Sequence, residues 1–147
     1  MLYIGADHGG FPLKEYLKQW FLKKGIEYSD LGAETLALDD DYPVYAKKVA
    51  SKASGAPDKH VGLLLCRSGQ GVAIAANKFK GVRAVVIWNE AEARASKHDD
   101  GANVLCLPTD YITQKQAERI VGAWLATPFS NEARHVRRLK QIARLEK

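Results

Sequence analysis

Short apolar runs alternate with longer stretches of helical periodicity along the whole chain, and this rhythm constrains the fold more than any other feature of the sequence. Leu2 to Ala6 predicts a strand. Leu13 to Leu22 follows with apolar residues at Leu13, Tyr16, Leu17, Trp20 and Phe21, the spacing of one helix face, and Gly25 supplies the stop. Ile26 to Leu31 predicts a second strand, and the Asp39-Asp40-Asp41-Tyr42-Pro43 loop leads into a helix from Val44 to Ser54. Val61 to Cys66 is the clearest buried strand. After it come the turn Arg67-Ser68-Gly69-Gln70-Gly71, a short helix through Asn77, a strand at Val82 to Trp88 and a helix from Glu90 to Lys97. Asn103 to Leu107 makes a fifth strand, and two helices are expected at Thr113 to Ala126 and from Asn131 to the end. Such alternation argues for an α/β layered domain with a parallel sheet.

Composition narrows the function classes. A chain of 147 residues with 46% hydrophobic and 27% charged residues fits one globular domain, 1–147, and does not read as disordered. No stretch reaches the roughly 18 apolar residues of a membrane span, and Met1 to Ile4 run straight into a strand, so neither a span nor a signal peptide is expected. Cys66 and Cys106 each end an apolar run, which suits small buried hydrophobes and suggests no disulfide framework. A reducing, cytoplasmic setting agrees with that.

The net charge of +5 is carried by Arg134 to Lys147, with six basic residues and one acidic, while the rest of the chain has 16 of each. A charge so localised fits a phosphate-bearing small molecule at least as well as a polynucleotide, and aromatic stacking residues are not clustered in that segment. Its bland alternative is a solvated helix face. Arg134, Arg137 and Arg138 fall within about 100° of one another on a helix, whereas Val136, Leu139 and Ala143 make an apolar side fit to dock on a partner subunit.

In a parallel sheet, ligands bind beyond the carboxyl ends of the strands. Two segments there are chemically rich: Asp7-His8-Gly9-Gly10 after strand one, and Cys66-Arg67-Ser68-Gly69-Gln70-Gly71 after strand three. Glycines let successive N–H groups point into one concavity, and the following helix adds its positive end, a nest for a phosphate or an enediolate oxygen. Gly69-Gln70-Gly71 is followed by Val72, Ala73 and Ile74, which is neither a dinucleotide fingerprint nor a P-loop. Cys66 stands beside Arg67 and near a helix start, both of which favour thiolate, against the bland alternative of an inert core thiol. His8 and Asp7 can equally serve to tie down their own loop. The Asp39 to Asp41 run reads as solvated loop, and no paired His or Cys spacing suggests a metal.

The blocks GADHGGFPLK, DYP, CRSGQGVAIAANKFKGVRAVV, GANVLCLP and ARHVRRL, in that order, resemble the ribose-5-phosphate isomerase B and galactose-6-phosphate isomerase family along nearly the whole chain. The resemblance implies a three-layer α/β/α Rossmann-like domain with a five-stranded parallel sheet, whose C-terminal helix reaches a partner subunit. It also implies a homodimer or dimer of dimers, an active site shared across the dimer interface, and no metal or organic cofactor. One branch of the family uses a cysteine after strand three as the base between C1 and C2, matched by Cys66. The other uses a glutamate after the glycine turn, where this chain has Val72. Asp7 and His8 match substrate-binding positions, Ser68, Gly69, Gln70 and Gly71 the anion-stabilising loop, and Arg134 and Arg138 the phosphate-binding pair.

Three positions depart from the family pattern. Its His-Asn-Asp segment, with the histidine as ring-opening acid, becomes His98-Asp99-Asp100-Gly101; an ungapped count puts Asp99 at the histidine position and Asp100 at the asparagine, while a one-residue shift restores His98. Asp110 stands where relatives often have a phosphate-reaching arginine, and Arg67 replaces a glycine while joining the substrate-binding set. The expected activity is aldose-ketose isomerisation of a sugar phosphate, foremost D-ribose 5-phosphate to D-ribulose 5-phosphate. The alternatives are an allose or galactose 6-phosphate isomerase and a catalytically silent phosphosugar-binding protein. No nucleic acid or membrane partner is expected.

Overall fold

The computed structural model describes residues 1–146. Five parallel strands, β1 (Leu2–Ala6), β2 (Tyr28–Asp30), β3 (Val61–Cys66), β4 (Ala84–Val86) and β5 (Val104–Pro108), form one sheet in the order β2-β1-β3-β5-β4. Six helices accompany them: α1 (Phe11–Lys24), α2 (Tyr42–Gly55), α3 (Gln70–Ala76), α4 (Glu90–Asp100), α5 (Gln114–Ala126) and α6 (Ala133–Ala143).

Strand β3, in the middle of the sheet, shows why the domain has three layers. Leu63 and Leu65 point into a core shared with Leu17 and Phe21 of α1 and Ile120 and Trp124 of α5. Leu64 and Cys66, one residue out of phase, point into a second core with Val49 and Ala50 of α2 and Val72 of α3. Burying both faces removes the alternation that a half-exposed strand would show, hence the unbroken apolar run VGLLLC. Each leucine so buried contributes about 1.5–3 kcal/mol relative to exposure.

The sequence expectation for fold class holds, with shorter edges. Ile26 to Leu31 contracts to three paired residues in β2 and Val82 to Trp88 to three in β4. These are the two edge strands, paired on one side only, so register is imposed over fewer residues. Helix α4 runs three residues past Lys97 because its stop is Gly101, left-handed at φ 56, rather than the polar run before it. Helix α5 starts where expected, on a capping box in which Thr113 and Gln116 bond reciprocally. The last helix starts two residues later than expected and ends at Ala143; Lys147, included in that expectation, lies outside the described residues.

Chemically rich segments fall at two opposite edges of the sheet. At the carboxyl edge, Cys66 pairs with Pro108 and Leu65 with Ala6, so the segments after β1, β3 and β5 converge. At the other edge lie the end of α4 and the segment leading into α6, joined by the Ser130 N–H donating to the His98 carbonyl at 3.0 Å.

Candidate active site

Cys66 closes β3 with only 5% of its surface exposed, and the Gly69 N–H donates to its Sγ at 3.1 Å. That approach requires Gly69 to be left-handed, φ 73, just before α3 begins. A side chain there would also meet Val86 and the β5 backbone. The Gln70 N–H donates to Ser68 Oγ at 3.3 Å, and Gly71 lies so close under the Tyr42 ring that an added methyl would overlap it at 2.6 Å. The Thr109 hydroxyl, just past β5, reaches the carbonyls of Gly9 at 2.9 Å and Cys66 at 3.2 Å and ties the loops together.

Asp7, 5% exposed, accepts the Gly10 N–H at 3.1 Å; burial, the largest influence on it, raises its pKa. His8 does not tie down its own loop. It reaches the aspartate run instead, donating its backbone N–H to Asp40 Oδ1 at 2.9 Å and setting Nδ1 2.8 Å from the same oxygen. This hydrogen bond raises the His8 pKa. On Asp40, burial pushes upward, but the two bonds from His8, the Tyr45 hydroxyl and the His8 charge together outweigh it, and the carboxyl sits below its usual range. The aspartate run is therefore not solvated throughout: the Asp40 side chain is 9% exposed.

The departures at positions 67 and 110 answer each other. Arg67 Nε donates to Asp110 Oδ2 at 2.9 Å, and the Asp110 N–H donates to the Arg67 carbonyl at 3.0 Å. Arg67 folds over Gly9, whose missing side chain makes room for the arginine stem. The Asp110 hydrogen bond raises the guanidinium pKa, so the rim beside Cys66 carries a fixed cation paired with one acid.

A second cluster forms at the other sheet edge. His98 Nδ1 lies 2.7 Å from Asp99 Oδ1, and this bond, more than anything else, lowers the Asp99 pKa. His135, 3% exposed, places Nε2 3.8 Å from the same oxygen while Nδ1 meets Ser130 Oγ at 2.6 Å. Asp100 is exposed on the last turn of α4; Arg134 pairs with Glu132 at 2.8 Å, and Arg138 is exposed on the next turn of α6. Within one chain this cluster and Cys66 stand apart by about the length of β5 and its lead-in, roughly 20 Å at 3.3 Å per residue. The His8 and His98 clusters each bring three potential ligand atoms within 4.8 Å of one another, but histidine–aspartate hydrogen bonds already join them.

Residues 2–142 match the family model described as Ribose/Galactose Isomerase. The chain belongs to this family. A probable ribose-5-phosphate isomerase B of Mycoplasma genitalium is 38% identical over 146 residues, covering 99% of this chain and 95% of its own. The ribose-5-phosphate isomerase B of Escherichia coli is 36% identical over 143 residues, 97% and 94% of the two chains. Among solved structures, the Mycoplasma genitalium enzyme with bound ribulose-5-phosphate superposes with a TM-score of 0.94, 38% identity and coverage of 99% and 95%. The Clostridium thermocellum ribose-5-phosphate isomerase B gives 0.92, at 35% identity and coverage of 99% and 96%.

For this ribose/galactose isomerase family member, Asp7, His8, Cys66, Arg67, Ser68, Gly69, Gln70 and Gly71 gather at the carboxyl edge, whereas His98, Asp99, Asp100, Arg134 and Arg138 gather at the other. Nothing in the sequence distinguishes Asp40 within its run, or marks Thr109, Tyr42 or Ser130 as members of these clusters. His135 was visible only as a member of the block ARHVRRL. Cys106 is fully buried, and burial drives its thiol pKa far up, which makes it the inert core cysteine expected.

Proposed function

We propose that the chain interconverts D-ribose 5-phosphate and D-ribulose 5-phosphate through an enediolate, with Cys66 as the base. The observation that carries this reading is the thiol held by the Gly69 N–H at the mouth of a glycine turn, in a chain 38% identical to an enzyme solved with bound ribulose-5-phosphate. Burial in that turn and the N–H bond favour a defined position for the sulfur; with the Gly69 and Gln70 N–H groups committed to Cys66 and Ser68, the N–H groups of Ser68 and Gly71 are the ones that stabilise charge developing on the substrate oxygens in this reading.

In the proposed sequence a carboxylate or imidazole of the His98–Asp99 pair moves the protons of ring opening. Cys66 thiolate then removes the C2 proton of the open aldose, and electrons shift through the C1–C2 bond to the aldehyde oxygen, O1. Reprotonation at C1 by the Cys66 thiol, with the 2-hydroxyl proton passing to O1, yields the ketose and regenerates the thiolate. Positioned proton transfer supplies about 10²–10⁴-fold, so stabilisation by the loop N–H groups must supply much of the rest. The steps balance without a metal or organic cofactor.

Because one chain holds its two clusters roughly 20 Å apart, the proposed site joins Cys66 of one copy to Asp99, His98, Arg134 and Arg138 of a second. The side of α6 expected to dock on a partner, Val136, Leu139 and Ala143, turns instead to the chain's own sheet edge, and the apolar surface left for an assembly is Ile142, 43% exposed on α6, with Leu145, 79% exposed just past its end. Arg134 and Arg138, spaced i, i+4, can grip one phosphate together.

The test is a panel of pentose and hexose phosphates with the parent and Cys66→Ala proteins. Turnover is expected on ribose 5-phosphate and is expected to vanish in Cys66→Ala while binding persists. Preference for allose or galactose 6-phosphate would move the substrate assignment, inactivity on all would leave a phosphosugar-binding protein, and a near-normal Cys66→Ala enzyme would remove the mechanism.

A further inference from the structure

A cavity of about 830 Å³ lies between α6 and the amino edge of the sheet. Three cations line it: Arg83 and Lys97, both half-buried, and Lys140, exposed on α6. Phe129, Val136 and Leu139 supply apolar surface to the same space.

The cations are held by neutral dipoles rather than by acids. Arg83 donates Nε to the Gly101 carbonyl at 2.9 Å and Nη1 to the Gly81 carbonyl at 3.3 Å. Lys97 donates to the Ala102 carbonyl at 3.0 Å and stands 4.1 Å over the Trp124 ring. Among the described residues none of the three has a carboxylate within ion-pair distance. Asp58, on the cavity wall, and Glu146, which accepts the Gly81 N–H at 2.7 Å, act on Arg83 only from a distance.

Carbonyls orient a cation but do not neutralise it, and burial strips away the water that would. Lys97 registers the deficit: burial, and after it the charge of Arg83, pull its pKa down to about 8. A dianion in the cavity would relieve both the desolvation and the repulsion, and the apolar wall suits an organic substituent beside it.

We infer that this cavity binds a small organic phosphate, with Arg83, Lys97 and Lys140 around the phosphoryl oxygens and the organic part against Phe129, Val136 and Leu139. The site is separate from the proposed substrate phosphate site. On α6, Val136, Leu139 and Lys140 centre about 170° around the axis from Arg134 and Arg138, counting about 100° per residue. The inference does not depend on the isomerase reading.

Phenyl phosphate is a suitable probe, with phenol and inorganic phosphate as comparisons. Lys97 acetylation by an N-hydroxysuccinimide ester, followed by peptide mass spectrometry on the full chain, reads occupancy at the residue itself, with exposed Lys115 as internal control. Phenyl phosphate is expected to protect Lys97 saturably and phenol not at all. The Arg134→Gln/Arg138→Gln protein should retain the protection. Lys140→Gln removes no backbone bond and should raise the half-protecting concentration roughly tenfold, the loss of one charge-assisted contact. Absence of protection overturns the inference, as does its loss in the double arginine variant. A Lys97 unreactive without any probe would mean that the cavity is filled in the assembled protein, which also overturns it. Equal protection by inorganic phosphate would remove the organic half of the assignment.

Discussion

Replacing Gly69 by alanine separates what the glycine turn does for the fold from what it does for the thiol. At φ 73 and ψ −15 an L-residue costs about 1–2 kcal/mol whatever surrounds it. The added Cβ would also stand 3.0 Å from Val86 Cγ1 and 3.3 Å from the Leu107 carbonyl carbon, the latter being backbone of an interior strand that cannot swing aside. Crowding of this kind adds about 1–3 kcal/mol, giving roughly 2–5 kcal/mol in all, within reach of a domain stable by about 5–15. Relief of the strain would move the Gly69 N–H off Cys66 Sγ, and an N–H bond to a charged sulfur of about 1.5–3 kcal/mol corresponds to a roughly ten- to hundredfold fall in kcat. Urea unfolding and the initial rate of ribulose 5-phosphate formation read the two losses separately. Gly71→Ala is the control: its φ is not positive, and its clash is with the Tyr42 ring, a side-chain end 40% exposed. Adding Tyr42→Ser should therefore rescue Gly71→Ala, while no neighbouring truncation rescues Gly69→Ala. A Gly69→Ala protein within about 0.5 kcal/mol of the parent and with unaltered kcat would refute the reasoning.

Arg134→Ala and Arg138→Ala should each raise KM by roughly ten- to hundredfold, the worth of a charge-assisted hydrogen bond, and unchanged KM in both would place the substrate phosphate elsewhere. The His8–Asp40 pair makes stability depend on pH. Because the folded-state His8 pKa is raised, its contribution is complete below the unfolded value near 6.5 and fades as pH climbs through the higher folded value. Urea midpoints across that range should lose this slope in Asp40→Asn, and an identical slope in both proteins would count against the pairing. For ring opening, Asp99→Asn should slow turnover of a cyclic sugar phosphate more than that of one that cannot close a ring; the same selective loss in His98→Asn alone would transfer the role to His98.

The chain's apolar rhythm by itself determined the layered α/β fold, because a strand buried on both faces must be continuously apolar and a covering helix must repeat near 3.6 residues. VGLLLC and the Leu13 to Phe21 face could be little else. The same logic made the ends of β1 and β3 the places to look, and Asp7, His8 and Cys66 were legible there because parallel strands share one carboxyl edge. Edge-strand lengths were not legible, since pairing on a single side leaves register to the neighbours. Nor was the choice of Asp40 from three successive aspartates, which depends on where a loop from β2 crosses His8, 32 residues earlier. The Arg67–Asp110 pair spans 43 residues and joins two departures that look unrelated until β3 and β5 lie side by side. Parallel strands alone put Asp99, just ahead of β5, at the edge opposite Cys66; only the tertiary structure set Arg134 there, because the segment leading into α6 bonds back to the end of α4 through the Ser130 N–H and the His98 carbonyl.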